Sequence, residues 1–178
     1  MSVVTTAARR GGRDSILDAA DALVREQGVN RMTLDAVAAR AGLSKGGLLY
    51  HFPSKDALLK GMIERFVARL SEPDDVPVAA RVIDVRLARQ AEDRDQRRAG
   101  HSMLAAIAEQ PALLDPVRSA HREIWAEMKG REGPCSDGLI AWLAAEGLCF
   151  FDLFDTSPLS DEERDQVIAR IKALATSG

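Results

Sequence analysis

The chain has 178 residues, 46% of them hydrophobic, and a net charge of -3, enough apolar content for a real core in one large or two small domains. Two cysteines, Cys135 and Cys149, exclude a disulfide framework and lack metal-ligand spacing, and no run approaches the ~18 apolar residues of a membrane span. The opening MSVVTTAARRGGR lacks the apolar stretch of a secretory signal, so a reducing cytoplasm is the expected location.

The charge is uneven along the chain. Residues 1–60 carry 9 Lys+Arg against 6 Asp+Glu, whereas residues 61–178 carry 15 against 21. A basic first third on an acidic remainder permits a polyanion to bind at one end only. Arg9, Arg10 and Arg13 read as a basic arm ahead of the first helix, suited to phosphates or a minor groove. In RDSILDAADALVREQG, Ile16, Leu17, Ala20, Leu23 and Val24 share one helical face. Gly28 stands where a C-terminal cap belongs.

TLDAVAARAG follows, with Thr33 as N-cap and Leu34, Val37, Ala38 and Ala41 facing inward. This helix is about two turns long and stops at Gly42. Ser44 then caps a second short helix. Two short helices joined by a tight glycine-containing turn are a helix-turn-helix. The second one holds Gly46 and Gly47, each of which costs about 1 kcal/mol against Ala in a helix interior. A plain core helix gains nothing from that. A helix that enters a groove about 12 Å wide gains low bulk and exposed backbone N–H groups. Lys45, Tyr50 and His51 supply donors and an aromatic edge, and Lys55, just after Ser54, is placed to grip a phosphate. Leu48 and Phe52 are the inward anchors.

The stretch TLDAVAARAGLSKGGLLYHFPSKDALL resembles the DNA-binding domain of the tetracycline-repressor (TetR) family of bacterial regulators, over about Asp14 to Leu59. The resemblance implies an all-α homodimer that represses transcription and leaves its double-stranded operator when a small molecule binds the larger C-terminal domain. Carried over by position, Thr33 opens the second helix and touches phosphate. Ser44 is the cap, Lys45 and Gly46 form the leading turn, His51 and Phe52 are the aromatic pair, and Lys55 is the phosphate-binding lysine. Gly47 stands where Thr is frequent, and Leu49 where Tyr is frequent. Two readings follow: Tyr50, one place later, takes related work from a neighbouring angle, or Leu49 meets a thymine methyl.

Further on, DALLKGMIERFVARL is a long amphipathic helix with Leu58, Leu59, Met62, Ile63, Phe66, Val67 and Leu70 as its stripe. Pro73 and Pro77 bracket an acidic break. VAARVIDVRLARQAE and RRAGHSMLAAIAEQ are helical by period, and PVRSAHREIWAEMKG opens on Pro116. DGLIAWLAAEGLCFFDLFD is apolar nearly all round. Leu139, Ile140, Leu143, Gly147, Leu148 and Phe151 read as one face, with Trp142, Cys149, Phe150 and Leu153 on others. Such a helix needs cover on both sides. LSDEERDQVIARIKALA closes the chain, with Ser160 and Glu163 as a capping box and Val167, Ile168, Ile171 and Leu174 as its stripe.

The expected organisation is therefore all-α: a three-helix DNA-binding head over residues 1–54 and a larger helical ligand-binding and dimerisation body over 55–178. The resemblance places the homodimer contact in the last two helices. Met62, Phe66, Met103, Trp125, Trp142 and Phe150 are the candidates for a pocket that takes a hydrophobic effector. No cofactor, metal, membrane or catalytic role is expected. The competing class is a helical-bundle enzyme with a centre at His101, His121 and Glu123. It lacks paired Glu-x-x-His motifs and leaves the glycine-bearing helix unexplained. A regulator that works without a ligand, or an activator, would share every feature above.

Overall fold

The computed structural model describes residues 3–70, 78–88, 94–133 and 136–176, with side chains described at these positions except 3–10, 69–70, 78, 85–88, 94–101 and 131–132. The Pro73–Pro77 break, Cys135 and the side chains of Arg9, Arg10, Leu70 and His101 thus lie outside the described residues. The elements are α1 (Val3–Gln27), α2 (Leu34–Arg40), α3 (Lys45–His51), α4 (Lys55–Leu70), α5 (Val78–Ala88), α6 (Arg94–Glu109), α7 (Asp115–Glu132), α8 (Asp137–Phe154) and α9 (Asp161–Ala175), with a 3-10 turn at Pro111–Leu114. The all-α expectation holds, and no strand occurs among the described residues.

By packing, the chain divides into two compact units, residues 1–65 with 98–115, and 66–97 with 116–178. In the first unit, the predicted inner faces of α1 and α2 supply the core. Ile16, Leu17, Ala20, Leu23 and Val24 are buried with Val37, Ala38, Leu48 and Phe52, each large side chain contributing about 1.5–3 kcal/mol. Gly28 ends α1 at φ +81, as the cap reading requires. The next amide, of Val29, donates to the Ser102 hydroxyl of α6 at 3.1 Å.

One expectation here is corrected. Arg9, Arg10 and Arg13, read as an arm ahead of the first helix, lie within α1, which runs from Val3 to Gln27. Arg13 is engaged inside the unit. Its guanidinium lies 5.3 Å from the Phe52 ring centroid and 3.5 Å from Glu64. Phe52 in turn packs onto α4 at Gly61, where an added Cβ would come within 2.5 Å of the ring. Arg65 of α4 donates to Asp18 at 2.6 Å and also to Asp21, which ties α4 to α1.

The second unit has its own core, built from Val82 and Ile83 of α5, Ile124 and Met128 of α7, Leu139, Trp142, Ala145 and Leu148 of α8, and Ile171 and Ala175 of α9. Here α8 packs on both α5 and α9. Ser136 caps α8 through the Leu139 amide at 3.2 Å. Asp155 ends it in the left-handed region at φ 54. Arg164 of α9 donates to Asp152 of α8 at 2.6 Å, and that hydrogen bond raises the Arg164 pKa above its usual value.

The face assignment within α8 is also corrected. Leu139, Trp142, Ala145 and Leu148 point into the core, while Ile140, Leu143, Phe150, Phe151 and Phe154 are 44–57% exposed. The small Ala141 and Ala145 lie on the packed side and allow close approach of neighbouring helices. The bulky residues are left on the other side, as one stripe at positions 140, 143, 150, 151 and 154, with Gly147 between them. Ile171, read as part of an interhelical stripe, is 3% exposed and belongs to the chain's own core.

Candidate nucleic-acid interface

The candidate site is α3 with the turns on either side of it. Thr33 and Ser44 sit in extended conformation just before α2 and α3. The Thr33 hydroxyl accepts from the Ala36 amide at 3.2 Å, and the Ser44 hydroxyl accepts from the Gly47 amide at 3.1 Å. Both caps satisfy amides that a helix of seven residues leaves open. Between the helices the chain turns at Gly42, φ +69, a conformation that glycine adopts without strain. The Leu43 amide returns to the Ala38 carbonyl at 2.9 Å, which closes the turn.

Leu48 is fully buried and fixes which side of α3 faces the core. Gly46 and Tyr50 lie on the side away from Leu48 and Lys45 on its flank, all three exposed, with Tyr50 at 62%. A Cβ built on Gly46 would come no closer than 4.0 Å to any neighbouring atom, so packing within the chain gives no reason for a glycine there. At Gly47 the same Cβ would approach the Ser44 hydroxyl at 3.4 Å, ordinary contact. Leu49 is half-buried.

His51 is placed differently from Tyr50. It is half-buried at the end of α3, and its ring meets Tyr50 edge-on at 5.2 Å. Its Nε2 lies 3.2 Å from where a Cβ on Gly12 of α1 would be. Thus His51 packs beside α1 while Tyr50 projects. Lys45 forms an ion pair with Asp35 of α2 at 3.0 Å. Lys55 donates to the Asn30 carbonyl at 3.5 Å from the first turn of α4, which Ser54 caps through the Ala57 amide at 3.1 Å. Arg40 forms a two-pronged pair with Glu26, both bonds 2.6 Å. This hydrogen bond lowers the Glu26 pKa and raises that of Arg40.

The six pocket candidates are not gathered in one unit. Met62 and Met103 belong to the first, and Phe66, Trp125, Trp142 and Phe150 to the second. Met62 is buried. Phe66 packs partly buried against the second core. Trp142 is 5% exposed, with its indole N–H on Glu146 at 3.2 Å, Trp125 at 6.2 Å and His121 edge-on at 5.3 Å. Phe150 is 57% exposed and stacks on Phe154. Glu123 is exposed. Cys149 is half-buried, without a disulfide. Among the described residues no group of three or more His, Cys, Asp or Glu is arranged to hold a metal ion. None of the helices, searched over the described residues, is long and apolar enough to cross a membrane.

Sequence reasoning missed the pairs that brace α3, Gly12 against His51 and Gly61 against Phe52, and the bonds of Arg65 to Asp18 and Asp21 that tie α4 to α1. A signal existed for Gly61, a glycine between apolar stripe positions of α4 that implies a close neighbour.

A helix-turn-helix with its outer face clear is a module of transcription regulators, and comparison with known proteins gives the family. Residues 16–62 match the bacterial regulatory proteins of the tetR family, and residues 77–176 match the tetracyclin repressor-like C-terminal domain. The chain belongs to the TetR family of transcriptional regulators. It is 36% identical over 69 residues to the HTH-type transcriptional repressor BepR of Brucella suis biovar 1 (strain 1330), a match covering 39% of this chain and 32% of that protein. The chain therefore spans about a third of the length of the curated relative it matches. Its fold is similar to a TetR-family member, SCO1917, from Streptomyces coelicolor A3, with TM-score 0.63, 23% identity, and coverage of 90% and 97% of the two chains. It is similar also to the multidrug binding protein EbrR complexed with ethidium (TM-score 0.62, 21% identity, 90% and 98% covered) and to GusR of Salmonella enterica (0.60, 22%, 92% and 95%).

Proposed function

We propose that the protein is a homodimeric repressor that binds operator DNA through α3 and releases it when a small hydrophobic molecule binds the C-terminal part. Residues 1–54 bind DNA and residues 55–178 bind the effector and the second subunit. The observation that carries this reading is the exposed face of α3, where Lys45, Gly46 and Tyr50 are open to solvent and Gly46 has no neighbour that would exclude a side chain. Tyr50 and Lys45 reach the groove. Lys55 and the Thr33 cap meet phosphates, and the open backbone at Gly46 and Gly47 lets the helix approach closely. His51, packed beside Gly12, orients Tyr50 and takes at most an edge contact.

Two relatives support the finer parts. BepR is a repressor by name, and EbrR is a multidrug binding protein seen with ethidium. The second subunit covers the exposed stripe of α8 and Val167 of α9, which is 37% exposed. An apolar stripe of this kind on a folded monomer marks an interface. The dimer then presents two α3 helices to successive major grooves, about 34–36 Å apart or a multiple of that. Phe66, which packs against the second core from α4 just after Arg65 has bonded to α1, is the proposed sensor of the effector.

Selection of bound duplexes from a random pool tests the reading. A recovered site with twofold symmetry is the expected result. Failure to enrich any sequence, with the protein folded, would overturn it. Melting of the protein against a panel of small molecules, followed by operator titration with each hit, tests the release.

A further inference from the structure

We infer that Asp35 is an affinity-limiting residue of the DNA-binding head: it holds the Lys45 ammonium as an internal counter-ion, which a DNA phosphate must displace. The inference rests on the reading that α3 faces DNA. Both Asp35 oxygens lie within hydrogen-bond distance of Lys45 Nζ, Oδ1 at 3.0 Å and Oδ2 at 3.1 Å. The pair bridges the first turn of α2 and the first residue of α3.

Stability gives this pair little reason to exist. The two side chains are 61% and 67% exposed, and ion pairs so open to solvent add little to folding. Thr33 supplies the side-chain cap of α2, and the modest attraction of Asp35 to the N-terminus of that helix, as its first-turn acid, does not require Lys45. The turn between α2 and α3 is closed by its own backbone bonds. What the pair does change is the charge of the surface beside the exposed face of α3. A lysine in the leading turn would attract any polyanion, and a carboxylate on the same spot cancels most of that attraction. Lys45 then helps to bind DNA only where other contacts bring a phosphate or base edge close enough to compete. The device keeps down the protein's affinity for DNA of arbitrary sequence, the sequence-independent component of binding.

Duplex titrations of the wild type and Asp35→Asn, on the selected site and on random-sequence duplex across a salt series, test this. The nearly isosteric Asn keeps shape and removes charge. On random duplex at low salt, Asp35→Asn is expected to bind about two- to fivefold more tightly, the span of an exposed ion pair. The salt slope is expected to steepen by up to about 1 as Lys45 becomes available to a phosphate. The same change in a Lys45→Gln background separates the pairing from general repulsion. There the gain should shrink to near one. An equal gain in both backgrounds, or no gain in the first, would overturn the role assigned to Asp35. Circular dichroism melts of all four proteins show that each is folded. If the wild type binds no DNA at all, the reading of the head itself fails; if it binds and Asp35→Asn changes nothing, only the inference fails.

Discussion

α3 and α8 both carry outward faces that a self-contained helix would not choose, and they do so with opposite chemistry. On α3 the outer face is reduced: glycines, a lysine already paired, and one tyrosine that is 62% exposed. On α8 the outer face is loaded, with Leu143, Phe150 and Phe154 at 55%, 57% and 49%. A surface stripped of bulk suits a rigid, hydrated, anionic partner whose groove sets the distance of approach. A surface of aromatics suits a partner that can be desolvated over a wide area, where each ring buries on the order of 150–250 Å². One chain thus presents two kinds of vacancy, and the chemistry of each states which kind of partner fills it.

The greatest loss is expected from a charge on α8. Leu143→Glu leaves the core untouched, since Leu143 faces outward, and is expected to yield folded monomers. Loss of the second head removes bivalency, which multiplies affinity by roughly 10²–10⁴, so operator binding should fall by about a hundredfold or more. Sedimentation and operator titration read both effects. A folded, dimeric Leu143→Glu would move the interface off this stripe. Ile171→Glu is a poor substitute, because Ile171 is 3% exposed in the chain's own core and an unpaired charge there unfolds the unit.

Next in size is a change beneath the DNA-facing surface. Gly61→Ala places a Cβ 2.5 Å from the Phe52 ring, which Arg13 covers from another side. Overpacking of this kind costs about 1–3 kcal/mol. The melting temperature should drop, and operator affinity should drop with it, because Phe52 follows α3 directly. An unchanged melting temperature would show that the ring moves freely and that α3 is not braced against α4.

A smaller effect sharpens the other side of the comparison. Lys55→Ala removes a proposed phosphate contact and should weaken binding alike on operator and random duplex, with the salt slope less steep by about 1. Tyr50, by contrast, should matter more on the operator. Equal losses from Tyr50→Ala on both duplexes would assign that ring to the backbone.

Much of this architecture is legible from spacing alone. Leu48 and Phe52 sit four apart and both are buried; Ser44 and Ser160 read as caps and both accept the expected amides. These features depend on neighbours within one turn, which a sequence displays directly. The inward side of α8 was not legible. A helix apolar nearly all round has no preferred face until its neighbours are known, and small residues such as Ala141 and Ala145, easily passed over, decide the packed side. The partners of Arg13, Lys45 and Arg65 were hidden for the same reason, since each bond crosses between helices.

The smallest expected effect concerns the helix that closes the second unit. Ser160 donates its backbone N–H to Glu163 at 2.8 Å, and its hydroxyl lies 2.9 Å from the same oxygen. The backbone bond, and then the hydroxyl, hold the Glu163 carboxyl below the ordinary 4.5. A group whose folded pKa is depressed adds stability that is fully present above its unfolded value and is lost as pH falls through the folded one. The negative charge also lies in the first turn of α9, beside Asp161 and Glu162, where the helix dipole favours it. Glu163→Gln keeps an acceptor but has no charge to lose. The wild type should therefore melt slightly higher than Glu163→Gln at neutral pH; the gap should begin to shrink as pH falls below about 4.5 and close only once pH has passed below the depressed folded value, where both side chains are neutral. Because the group is fully exposed, salt should shrink the gap as well. A gap that widens in acid would mean that the carboxylate is repelled by Asp161 and Glu162 more than it is held by Ser160, and that the capping box does not anchor α9.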